Sequence, residues 1–121
     1  MSNKLILIVE DSPTDRHIAE TICLDNGYKV LTTGEGEKAL ALAAQHKPDL
    51  ILLDVILPKQ NGFQVCRELK KSPETKDIKV IMVTSKSQPS DKFWGLKQGA
   101  DEYMLKPYGE DDLLAAIKRH I

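Results

Sequence analysis

Five side chains in this sequence could do chemistry together: Glu10 and Asp11 side by side, Asp54, Thr84 and Lys106. Glu10 and Asp11 follow the run "LILIV" (5–9), and Asp54 ends "DLILLD" (49–54). Thr84 and Ser85 end "KVIMVTS" (79–85), and Lys106 ends "EYMLK" (102–106). Brought to one place, three carboxylates raise one another's pKa and need either a proton or a hard cation. Mg²⁺ suits such a set, because it prefers oxygen ligands, keeps several waters and uses one or two carboxylates beside phosphate oxygens. No His or Cys falls at these positions, so zinc fits poorly. A carboxylate can also attack phosphorus and form an aspartyl phosphate. Asp54 is the candidate nucleophile, alone on its run and leading into the loop "VILPKQNG" (55–62). Phosphoryl transfer rests on positioning and charge neutralisation. The cation and the Lys106 ammonium would supply the charge, and the Thr84 hydroxyl would bond a phosphoryl oxygen.

These residues meet only if a fold gathers the ends of four separate runs. The runs at 5–9, 49–54 and 79–85 are nearly unbroken Ile, Leu, Val and Met, as strands buried on both faces are. Those at 28–33 and 102–106 are more mixed, as edge strands tend to be. Helical spacing fills the gaps. Pro13 suits a first helical turn after Ser12 or Asp11 as cap, and Ile18, Ala19, Ile22 and Cys23 form its apolar stripe up to Asn26-Gly27. Further stripes are Ala39, Leu42 and Ala43; Phe63, Cys66 and Leu69; residues 90–98, stopped by Gly99; and Leu113, Leu114, Ile117 and Ile121, capped by Gly109 or Tyr108. Five β-α pairs with short connections predict an α/β fold, a doubly wound five-stranded parallel sheet with helices on both faces. Ligands in such sheets bind beyond the carboxyl ends of the strands, where the strand order reverses. The acids, the hydroxyl and the lysine are all expected at that edge.

Composition narrows the field. The 121 residues fit one domain, with 17 basic and 18 acidic side chains and a net charge of -1, which gives no footprint for nucleic acid. The apolar runs are far shorter than the roughly 20 residues a membrane helix needs, and "MSNK" does not open a secretory signal. A cytoplasmic location is expected. Cys23 and Cys66 have no metal-binding spacing and read as reduced core residues.

Glu10-Asp11, Asp54, Thr84 and Lys106-Pro107, in this order and spacing, resemble the receiver domain of two-component response regulators. The resemblance covers residues 4–121, one receiver domain spanning 1–121, and implies the flavodoxin-like strand order 2-1-3-4-5. It implies that Asp54 takes a phosphoryl group from a sensor histidine kinase. It further implies a Mg²⁺ ion held by Asp11, Asp54, the backbone carbonyl of Ile56, and Glu10 either directly or through a water, since Glu replaces the commoner Asp. Thr84 and Lys106 would contact the phosphoryl group. Tyr103 would be the switch aromatic that turns inward as Thr84 moves, Ser85 supplies the small residue required after the switch threonine, and the Lys106-Pro107 bond would be cis. Output would pass to another protein through the face of the fourth helix, fifth strand and fifth helix, with Trp94, Lys92 and Tyr103 as contact candidates. The segment "TSKSQPSDKFWGLKQGADEYMLKPY" (84–108) looks most like single-domain receivers of chemosensory systems for type IV pilus twitching motility. The chain is accordingly expected to be a stand-alone regulator, not an enzyme, acting by protein binding or as a phosphoryl drain.

Three rivals remain. A pseudo-receiver would bind partners without phosphorylation. A Mg²⁺-dependent phosphatase with an aspartyl nucleophile usually has a second Asp two residues on, where this chain has Ile56. An FMN carrier needs a phosphate cradle after the first strand, where "EDSPTD" (10–15) places acid instead.

Overall fold

Residues 3–121 are described in a computed structural model of the chain. Five strands, β1 (Leu5–Val9), β2 (Lys29–Thr33), β3 (Leu50–Leu53), β4 (Lys79–Thr84) and β5 (Glu102–Leu105), alternate with five helices. The helices are α1 (Pro13–Asp25), α2 (Gly36–His46), α3 (Gly62–Lys71), α4 (Pro89–Lys97) and α5 (Glu110–His120). All neighbouring strands are parallel, in the order β2-β1-β3-β4-β5. The mixed runs are therefore the two edges, as the sequence pattern predicts. Among the described residues, no helix is long and apolar enough to cross a membrane.

The unbroken apolar runs follow from burial on both faces. Leu7, Val9, Ile51, Leu53, Val80 and Met82 pack with α2 and α3 through Ala39, Ala43, Val65, Cys66 and Leu69. Their alternates Ile6, Ile8, Leu50, Leu52, Ile81 and Val83 pack with α1 and α5 through Ala19, Cys23, Leu113, Ala116 and Ile117. Successive strand residues point to opposite faces, so each central strand needs an apolar residue at every position. Both cysteines are buried and free, and burial pushes their thiols up to about 12 at Cys23 and about 11 at Cys66.

Local signals set the helix ends. Ser12, not Asp11, caps α1, accepting the Asp15 N–H on its Oγ at 3.3 Å. Asn61 caps α3 in a reciprocal pair with Gln64. Gly109 occupies the cap position of α5. Ile18 departs from the expected α1 stripe: it is 45% exposed. Position 18 turns toward the mouth of the sheet, while Ala19, Ile22 and Cys23 face the core.

The parallel register aligns the strand ends. Val9 is level with Thr33 on one side and Leu53 on the other. The ladder runs one residue further, with Glu10 N–H donating to Thr33 O at 2.9 Å and Asp54 N–H to Val9 O at 3.0 Å. Glu10 and Asp54 thus leave neighbouring strands at the same level, at the point where the order reverses from β1-β2 to β1-β3.

Candidate functional site

Lys106 is the hub of the carboxyl edge. Its Nζ donates to Glu10 Oε1, and at 2.9 Å to both Asp15 Oδ2 and Asp54 Oδ2. The Lys106 side chain is 14% exposed, and those of Glu10 and Asp54 less than 10%. Burial favours the neutral amine, but the bonds to Asp54, Glu10 and Asp15 outweigh it and hold Lys106 protonated well above its ordinary range. Asp54 resolves in the same way: burial pushes its carboxyl up, and bonds from Lys106, the Ile56 N–H, Glu10 and Thr84 carry it below the ordinary value. The Ile56 N–H reaches Asp54 Oδ1 at 3.0 Å, so Ile56 and Lys106 hold the two carboxylate oxygens from different directions. Glu10 goes the other way. Burial and the neighbouring Asp54 charge push it up to about 7, only partly offset by Lys106.

Glu10 therefore works against stability once ionised. Its raised folded pKa means the native state holds a proton that the unfolded chain has already lost, from about pH 4.5 to 7. Stability falls as pH rises through that window. The sum is on the order of 3 kcal/mol. Glu10→Gln, whose amide still accepts from Lys106, is expected to stabilise the metal-free protein by about 2–3 kcal/mol at pH 8 and by little at pH 4.5. Urea midpoints at the two pH values check this, and a gain that does not depend on pH would refute it.

A cleft of about 510 Å³ opens above this cluster, lined by Glu10, Asp11, Asp15, Asp54, Ser85 and Lys106, with an apolar rim of Ile18, Ile56, Pro107 and Tyr108. Asp11 is exposed, and among the described residues its side chain makes no hydrogen bond or ion pair. Among those residues no three His, Cys, Asp or Glu side chains stand close enough to form a ready-made metal cage. The acidic mouth is closed by the Lys106 ammonium instead. What the cleft offers is the free carboxylate of Asp11 and, beside an open volume, the three carboxylates of Glu10, Asp15 and Asp54 that Lys106 holds. That donor set fits a hydrated hard cation that keeps most of its waters.

The other expected residues fall as follows. Thr84 is fully buried at the end of β4, its Oγ1 accepting the Lys86 N–H at 3.4 Å and its carbonyl the Lys106 N–H at 2.9 Å. Lys106-Pro107 is cis. Tyr103 is half-buried with its ring against α4, and its hydroxyl donates to Lys86 O at 2.8 Å. Burial pushes that phenol up to about 12. Lys92 and Trp94 are exposed on α4, but Trp94 turns toward α3 and lines a depression there that Tyr103 does not line. Gly95 explains the close approach of α4: a Cβ there would stand 2.8 Å from both Met82 Sδ and Tyr103 Cδ1.

Sequence reasoning missed Asp15, the third partner of Lys106. Its place three residues after Ser12 reads as a helix-capping pattern, which hides its second role. The same holds for Arg16, whose Nη1 donates to Glu10 O at 2.9 Å.

A family model for the response regulator receiver domain matches residues 6–118. Protein PilH of Pseudomonas aeruginosa is 46% identical over 112 residues, 93% of each chain. Several curated transcriptional regulators also match over 93–98% of this chain, which spans about half their length. The chemotaxis protein CheY4 of Vibrio cholerae superimposes with a TM-score of 0.93 at 29% identity, covering 99% of this chain and all of that one. The receiver domain of sensor histidine kinase PA1611 from Pseudomonas aeruginosa, solved with a magnesium ion in its active site cleft, gives 0.91 at 27% identity over 98% of both. With the receiver fold, the aligned acids at the β1 and β3 ends and Lys106 after β5, the chain belongs to the response regulator receiver domain family.

Proposed function

We propose that the protein is a cytoplasmic phosphorylation switch: Asp54 accepts a phosphoryl group from a phosphohistidine of a sensor kinase, and the changed surface is read by a partner protein in a chemosensory or pilus-motility pathway. The observation that carries this reading is the state of Asp54. It is buried at the strand-order reversal, kept ionised by Lys106 and Ile56, and open to the cleft on one side. An ionised carboxylate keeps its lone pair available, and fixed neighbours remove the need to reorganise during attack. One Asp54 oxygen forms the new bond to phosphorus as the P–N bond breaks, and the electron pair returns to the imidazole nitrogen.

Mg²⁺, held by Asp11, Asp54, the Ile56 carbonyl and Glu10, would neutralise charge on the phosphoryl oxygens. Lys106 lies within reach of Asp54 and neutralises the charge that arrives there. Thr84 at the end of β4 offers its hydroxyl to the same point. Drawing Thr84 toward Asp54 would disturb its bond from Lys86, whose carbonyl holds the Tyr103 hydroxyl. This links the site to the α4-β5-α5 face.

Intact-protein mass after incubation with acetyl phosphate tests the reading. One hydroxylamine-labile phosphoryl adduct is expected with Mg²⁺, and none in EDTA or in Asp54→Ala. An adduct that survives in Asp54→Ala would overturn the assignment. No adduct in the native protein would favour a binding module that works without phosphorylation.

A further inference from the structure

The outer side of α4 carries side chains the acidic cleft does not use. Phe93 and Trp94 are 62% and 51% exposed, with ring centroids 6.3 Å apart at 63°. Isolated exposed apolar residues need no explanation, but two adjacent aromatic rings beside a concave surface do. Trp94 forms one wall of a groove of about 270 Å³ between α3 and α4, and Phe63, Gln64 and Arg67 form the other.

The charge around this groove is mainly positive. Arg67, Lys71 and Lys92 are exposed, and among the described residues none makes a hydrogen bond or ion pair. The Lys97 ammonium lies 5.7 Å from the Phe93 ring centroid and has no carboxylate partner there. Of the nearby acids, Asp91 pairs with Lys86, while Glu68 accepts from the neutral Gln60 and lines the adjoining depression with Arg67 and Lys71. Arg67 in the groove, Lys71 in the adjoining depression and Lys97 beside Phe93 thus carry charge that no carboxylate pairs, against the single carboxylate of Glu68.

We propose that the α3–α4 groove is a docking site for an acidic segment of a partner protein. An apolar side chain of that segment enters between Phe63 and Trp94, and its flanking carboxylates pair with Arg67, Lys71 and Lys97. Aromatic and Arg anchors in a desolvated pocket with a charged rim are the usual energetic centre of a protein interface, and complementary charge adds rate and selectivity. A nucleic-acid strand suits the site less, because stacking needs open ring faces in series and these two rings meet edge to face. The groove shares no lining residue with the acidic cleft, so its occupancy is testable without phosphoryl chemistry.

Trp94 is the only tryptophan, and its emission reports occupancy directly. The probe is a short fluorescein-labelled synthetic peptide of Glu residues with Leu at every fourth position, titrated into the native protein. Saturable binding with a blue shift of Trp94 emission is expected. Arg67→Glu and Lys71→Glu, both at exposed positions, should each weaken binding about tenfold or more with unchanged circular dichroism and an unchanged phosphoryl adduct. Trp94→Ala should do the same by peptide anisotropy. Equal affinity in Arg67→Glu would overturn the proposal. So would equal binding of a polyglutamate peptide without Leu, or tighter binding of an oligothymidine of the same charge.

Discussion

Lys106→Met is expected to lower the stability of the metal-free protein by about 3 kcal/mol at neutral pH and to slow adduct formation about a hundredfold. The substitution leaves the apolar stem of the side chain but removes the charge that Glu10, Asp15 and Asp54 share. Two of those carboxylates are buried. Deleting one member of a buried ionic cluster costs more than the cluster contributes as a whole, because the remaining charges stay desolvated and repel. The pH dependence identifies the cause. Asp54 has a depressed folded pKa, so its contribution is present above its unfolded value of about 3.8 and is lost as pH falls through the folded one. Lys106 has a raised one, so its contribution persists up to about 10.5 and is lost only as pH rises beyond that. The gap between the native protein and Lys106→Met should therefore be widest from about pH 7 to 10 and should close on acidification. Mg²⁺ should also narrow it, since a second cation relieves the same repulsion. Chemical denaturation in EDTA at several pH values, repeated with Mg²⁺, reads this out. A gap that ignores both pH and Mg²⁺ would mean that Lys106 acts through packing alone.

Much of this cluster was legible because two constraints act on the same residues. Central strands of a covered parallel sheet must be apolar at every position, so Glu10 and Asp54 stand out by breaking that pattern at the run ends, whereas Lys106, after the mixed edge run, stands out by its place before Pro107. The rule that sites form beyond the strand ends then places them together. The strand order itself came only from the family resemblance, since periodicity does not say which strands are neighbours. Asp15 was not legible, because a first-turn acid after a capping serine already has a sufficient local reason to be there. Trp94 was not either: an aromatic on a short helix can face inward or outward at the same spacing. What turns it outward is Gly95, which takes the inner position and lets Tyr103 and Met82 come within a Cβ's reach of α4. Ile18 shows the converse error, where an apolar residue in a good helical stripe serves the rim of the cleft instead of the core.

Gly62→Ala is expected to be the most destabilising single-methyl change, costing about 3–5 kcal/mol, and to lower the adduct yield as well. Its cause is steric and not conformational, because the glycines with positive φ are Gly27 and Gly99. A Cβ on Gly62 would stand 2.1 Å from Asp54 O and 2.7 Å from Val55 Cα. Both obstacles are backbone, and the first belongs to the candidate phosphoacceptor. Gly62 N–H also donates to Val55 O at 2.8 Å, fastening the start of α3 to the segment that leaves β3. An added methyl must push α3 away or shift the Asp54 peptide, and either change moves the Ile56 N–H that orients the carboxylate. Helix propensity alone would favour Ala by up to about 1 kcal/mol, so a net loss isolates the clash. Gly36→Ala is the matched control. Its Cβ would meet the Val65 Cγ2 side-chain atom at 2.7 Å, a buried group that shifts only with the core around it, but no backbone of Asp54 or Val55, and a cost of about 1–3 kcal/mol with a normal adduct yield is expected. Equal urea midpoints for the two variants would show that the backbone of Asp54 and Val55 is not held against α3. A large loss in Gly62→Ala alone, together with a weaker adduct, would tie the geometry of the acceptor to that one contact.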